Sequence, residues 1–193
     1  MKKDYYIAPY TLKSQLNLRN LDGKVEQYWR SLDRWFIKIA KALKNNPGEP
    51  EGGPGADPVA LMIAISPFEA HGVLLQGKTA PIDKRGDPKG KENFEYGFRE
   101  FLSKKHAEWN KQKQEVIAER VYKQVRCGLF HLNKPKKGIW YYRGLDEEHP
   151  EPSINPKFYK RKLVKITFNV PALILEVEDY FQEYITDLRN PKS

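Results

Sequence analysis

Cysteine is almost missing from this chain of 193 residues; Cys127 is the single one. One thiol cannot close a disulfide within the chain, and no second cysteine exists to help build a structural zinc site, so a reducing, cytoplasmic setting is expected. Long apolar runs are missing as well. The longest, PVALMIAI, is broken by Ser66-Pro67 and falls well short of the roughly 20 residues a bilayer core demands. The opening MKKDYYIAPYTLK carries two lysines with no apolar stretch behind them. Neither an export signal nor a membrane anchor is expected from it. No glycine-rich phosphate loop follows a strand-like run, and spacing assigns no Ser/His/Asp grouping. No dense cluster of Asp, Glu and His suggests a two-metal hydrolase, so neither a metal nor another cofactor is expected.

What is present is positive charge. Lys and Arg number 34 against 25 Asp and Glu, a formal net charge of +9, and such a field draws in polyanions. With 39% hydrophobic residues, the chain can bury one core but not two, so a single domain over 1–193 is expected.

The apolar residues Val25, Trp29, Leu32, Phe36, Ile39 and Leu43 alternate in steps of four and three, which predicts one long amphipathic helix. KNNPGEPEGGPGADP (44–58) removes donors and backbone restraint and reads as a flexible loop. Asp57 and Pro58 then suit an N-cap and a first helical position. The helix they open is apolar on nearly every side, belongs at the centre of the fold, and should kink near Ser66 because Pro67 lacks a backbone donor. FEYGFREFLSKKH places Phe94, Phe98, Phe101 and Leu102 on one face of a third helix. A fourth starts near Lys111 and keeps Val116, Ile117, Val121, Val125 and Leu129 in helical register. GIWYYRG and KLVKITFNV, parted by the proline-rich DEEHPEPSINP, read as the two strands of a hairpin inserted over 138–168. Pro171 opens a last helix with Leu173, Val177, Tyr180, Phe181, Tyr184 and Leu188 inward. The expected fold is mainly α: a bundle of about five helices with a small β-hairpin before the C-terminal one.

The fourth helix ends in VRCGLFH (125–131). Arginine and histidine are the pair that metal-free RNA transesterification needs. An imidazole can take a proton from a ribose 2′-hydroxyl or give one to the departing 5′-oxygen, and a guanidinium can clasp the phosphoryl oxygens as charge builds on them. The spacing itself is common, since Arg99…His106 and Arg143…His149 show it too. Three carboxylates crowd the latter, and the former reads as a solvated surface. Arg126 differs in being set among Val125, Leu129 and Phe130, where a guanidinium needs a partner. On a straight helix Arg126 and His131 would point roughly 140° apart, so a loosening at Gly128, or copies from a second subunit, would be needed to bring them together. Lys134, Lys136 and Lys137 follow directly, and with Lys123 they could form a basic rim for nucleic acid; a plain solvated turn is the competing reading. Trp140, Tyr141 and Tyr142 could stack on bases there, or simply pack within the sheet.

This order of helices, with Glu69 on the apolar second one and RCGLFH closing the fourth, resembles the HEPN superfamily of helical-bundle proteins. Members of that superfamily are frequently metal-independent ribonucleases of toxin–antitoxin, abortive-infection and CRISPR-linked defence systems, with an Arg-x(4–6)-His motif in a homodimer cleft. The resemblance implies a homodimer acting on RNA, with an antitoxin or defence-system partner. It casts Arg126 as the phosphate-stabilising group, His131 as the acid/base and Glu69 as the residue that orients one of them. Cys127 stands where active members usually carry a polar residue after the arginine. Some branches keep the bundle and only bind nucleotides, RNA or a partner protein, which is the alternative reading.

Overall fold

The computed structural model describes residues 6–8, 11–12, 15–45, 56–128, 138–142 and 152–190. Strands β1 (Tyr6–Ala8) and β2 (Thr11–Leu12) pair antiparallel at the start. Then α1 (Leu21–Leu32) runs through a π-helical turn at Asp33–Ile37 into α2 (Lys38–Asn45). Asn20 caps α1 by accepting from the Gly23 amide at 2.8 Å. The expected first helix is therefore present, but the π turn inserts an extra residue into its register. That phase shift leaves Ile39 exposed while Ile37 and Ala40 are buried.

The central apolar helix begins at Asp57, one residue earlier than an Asp57 cap would have it, with Ala56 in the cap position. It is interrupted where Pro67 demands, giving α3 (Asp57–Ile65) and α4 (Pro67–Gln76) with Ser66 between them. With the 3-10 turn Gly77–Thr79 that follows, the pair spans 23 residues and is long and apolar enough to cross a membrane by length and composition. Central helices of compact folds pass the same test, and its most apolar window is 44% buried inside this one.

Helix α5 (Gly90–Lys105) crosses α4 backbone to backbone. A Cβ on Gly97 would lie 2.2 Å from the Phe68 carbonyl oxygen, and one on Gly72 would lie 1.9 Å from that of Asn93. Only glycine permits that approach. It seats Phe68 among Phe98, Phe101 and Phe181, with ring centroids 5.1, 5.1 and 5.3 Å away, distances at which aromatic pairs attract beyond their buried area. Helix α6 (Lys111–Val121), capped by Asn110, passes into a second π turn at Tyr122–Arg126.

A three-stranded sheet follows: β3 (Ile139–Tyr142), β4 (Ile154–Tyr159) and β5 (Lys162–Asn169), in the order β3-β5-β4. The small hairpin before the last helix is present, but its strands are β4 and β5. The two segments expected to form it, β3 and β5, lie side by side in parallel. The first half of β4, INP, was expected to close the proline-rich turn; Pro156 is tolerated within the strand because β4 is an edge strand. Helix α7 (Val170–Arg189), with Asn169 as cap and Pro171 in its first turn, closes the bundle. The expected loop at 44–58 falls largely on residues 46–55, outside the described residues.

Candidate functional site

Three irregularities of the helices meet at one place. A cleft of about 710 Å³ is lined by Phe36 from the first π turn, Arg126 from the second, and Ser66 from the break between α3 and α4. Glu69, Tyr28, Val73 and Leu74 also face it. π turns insert a residue that regular packing does not need, and they recur at functional sites for that reason.

Arg126 and Glu69 form the polar edge of this cleft. Nη2 of the arginine lies 3.4 Å from Oε2 of the glutamate, with the side chains 24% and 33% exposed. On its other side Glu69 lies close to the start of α5. A Cβ on Gly90 would stand 2.8 Å from the carboxylate, so the acid lies against the first turn of a helix, where the backbone dipole favours negative charge. At 3.4 Å the ion pair is longer than a tight charge-assisted hydrogen bond. Its carboxylate aims the guanidinium without clamping it. Next to the arginine, the Tyr122 hydroxyl is pushed up to about 12, first by burial and then by the neighbouring Cys127 thiol. Cys127 itself is half-buried.

Beneath the cleft floor sits a neutral histidine. His71 is fully buried, with Nδ1 3.2 Å from the Tyr28 hydroxyl and Nε2 2.8 Å from that of Tyr180. Burial, helped by the charge of Lys104, lowers its pKa to about 4. A neutral ring with one N–H suits two hydroxyls, one accepting from it and one donating to it. Burial also raises the Tyr28 and Tyr180 hydroxyls above their ordinary values. This chain joins the cleft wall to the core of the bundle.

Of the residues singled out from sequence, Arg126 and Glu69 are brought together, 57 positions apart in the chain. His131, Lys134, Lys136 and Lys137 lie outside the described residues. Lys123 is on the surface, ion-paired with Glu119 one helical turn back, which raises its pKa. The solvated-surface reading of Arg99 and His106 fits the arginine, which is part of an exposed ion pair, and fails for the histidine. Arg99 is paired with Glu115 at 3.2 Å, and His106 is only 5% exposed, stacked on Trp109 with ring centroids 4.3 Å apart. The cause is a chain reversal after α5 that folds Trp109 back over the imidazole, its amide donating to the His106 carbonyl at 3.0 Å.

That reversal creates a grouping that spacing could not reveal. His106 Nε2 lies 3.5 Å from both Ser153 Oγ and Glu176 Oε2, while the Ser153 hydroxyl donates directly to the Glu176 carboxylate. Serine, histidine and acid here do not make a nucleophile. The serine proton goes to the acid, not to the imidazole, and Ser153 is only 1% exposed. The cluster ties the end of α5 to α7 and to the residue before β4.

Among the described residues no group of three or more His, Cys, Asp and Glu could hold a metal ion. No protein-family model, curated protein or solved structure matches the chain.

Proposed function

We propose that this protein is a HEPN-like, homodimeric RNA-binding helical bundle that cleaves RNA without metal through Arg126 and His131, in a toxin–antitoxin or phage-defence setting. The observation that carries this reading is the Glu69–Arg126 pair on the wall of a cleft where both π turns and the Ser66 break converge. The apolar walls suit a base or ribose face, and the guanidinium suits a phosphate. In the reaction, His131 removes the proton from a ribose 2′-hydroxyl and the oxygen attacks the adjacent phosphorus. Arg126 stabilises the charge gathering on the phosphoryl oxygens, and the 5′-oxygen departs with a proton from an imidazole, leaving a 2′,3′-cyclic phosphate. Glu69 acts as a positioning residue, fixing the direction of the arginine fork.

The test is cleavage of several RNAs in EDTA by the full chain, compared with Arg126→Ala and His131→Ala. Cleavage that persists under chelation, yields cyclic phosphate ends and disappears in both variants, with circular dichroism unchanged, is the expected result. Absence of cleavage by the wild type would overturn it in favour of a second reading, a non-catalytic module that binds nucleic acid or a partner protein. That reading is favoured by Cys127 directly after the arginine and by the largely apolar cleft wall.

A further inference from the structure

The outer face of the small sheet is built of cations and aromatic rings. Residues 152–169 contain five Lys and Arg and no Asp or Glu. The register places Trp140 beside Thr167 and Asn155 in one row, Lys165 beside Lys157 in the next, and Tyr159 beside Lys162 at the tip. Their partners on the inner face, Ile139, Ile166 and Ile154, are buried. Trp140 is 58% and Tyr159 65% exposed, so neither ring is spent on the core. Lys165 Nζ sits over the Trp140 ring, 4.5 Å from its centroid, and Lys160 Nζ over Tyr159 at 5.6 Å. Among the described residues no carboxylate pairs with any of the five cations.

The tip adds to the charge of this face. The two-residue turn Lys160–Arg161 joins β4 to β5 with φ of 45° and 63°. Positive φ at both central positions is the turn that Asn-Gly adopts with little strain; a Lys-Arg pair is strained there. The two-residue connection imposes that conformation on whatever residues occupy it, and here both are cations. The turn places three consecutive cations at the end of the sheet. Arg161 faces a groove of about 490 Å³ whose walls also include Lys113 and Phe158.

We propose that single-stranded nucleic acid docks on this face, its bases stacking on Trp140 and Tyr159 and its phosphates running past Lys157, Lys165 and the Lys160–Arg161 turn. Strand spacing and rise put the two rings about 16 Å apart, which leaves room for unstacked nucleotides whose backbone meets the lysines between them. Among the described residues this face carries cations without acids, which selects a polyanion, and exposed rings select one with free base faces, so a duplex fits less well. The choice of RNA as the natural strand rests on the function proposed above; the surface itself does not depend on the cleft.

The test is fluorescence anisotropy with a labelled 2′-O-methyl oligouridylate of about 12 nucleotides, within the site sizes of such surfaces and unable to be cleaved. Trp140→Ala should raise Kd about tenfold. Lys157→Gln with Lys165→Gln should flatten the slope of log K against log salt by about 1.4, at roughly 0.7 per lost phosphate contact. Lys84→Gln, in an exposed turn elsewhere, should change nothing. An unchanged Kd in the Trp140 and lysine variants, equal affinity for a duplex, or binding only to phosphatidylserine vesicles would each overturn the proposal, the last in favour of a lipid surface. Loss of cleavage in Arg126→Ala with oligonucleotide binding untouched by Trp140→Ala would sink this surface and leave the cleft reading standing. The reverse pattern would do the opposite.

Discussion

Acidification should unfold this protein through His71. The folded ring has a pKa of about 4 against an ordinary 6.5, because the charged form would be buried among Phe68, Phe181 and Tyr184 and repelled by Lys104. Above 6.5 both folded and unfolded chains hold the ring neutral, and the stability associated with it is fully present. Between 6.5 and 4 the unfolded chain takes up the proton and the folded one refuses it, so stability falls as pH falls. Below about 4 the loss levels off. The interval between 6.5 and 4, at about 1.4 kcal/mol for each pH unit, amounts to about 3 kcal/mol, a large share of a typical domain's stability. Urea denaturation at a series of pH values should show wild type losing about 3 kcal/mol more than His71→Gln across this interval. The variant's lower absolute stability does not matter, because only the difference in slope is read. Equal slopes for the two proteins, or an NMR titration of His71 with a midpoint near 6.5, would refute the account.

Gly97→Ala forces a Cβ to within 2.2 Å of the Phe68 carbonyl oxygen; backbone cannot yield as a side chain can, and a loss of about 3 kcal/mol is expected in thermal or urea unfolding. Glu69→Gln should cost less than about 1 kcal/mol, since both partners of the ion pair are partly exposed. In the cleavage assay the same variant should lose roughly 100-fold in rate, because the arginine is no longer aimed; unchanged cleavage would remove Glu69 from the site. Lys160→Asn with Arg161→Gly should raise stability by about 1–2 kcal/mol by relieving the positive φ angles. It should weaken oligonucleotide binding at the same time, and a drop in melting temperature would refute the strain argument.

Periodicity made most helices legible. The Phe94, Phe98, Phe101 and Leu102 face and the inward side of α7 were readable because a buried stripe must repeat every 3.6 residues whatever it packs against. The break at Ser66 followed from a missing donor in Pro67, a property of one residue. The strand pairing was not readable in this way. Alternation marks a strand without naming its neighbour, and Pro156 concealed one because its tolerance depends on lying at an edge. Both π turns were invisible for a related reason: an extra residue in a turn is kept only when the surrounding packing repays its poorer hydrogen bonds.

The candidate site divides along the same line. An arginine in apolar company needs a partner, and that much the residues 125–130 dictate by themselves, because an unpaired guanidinium is too costly to bury. Which acid answers, 57 residues away, was decided by where α4 and α6 lie against α5, and Gly72 and Gly97 set that by letting two backbones touch. The same holds for His106, whose surroundings in sequence are lysines and whose surroundings in space are Trp109, Ser153 and Glu176. Residue chemistry fixes what each side chain requires of its neighbours; only the packed chain determines which neighbours it receives.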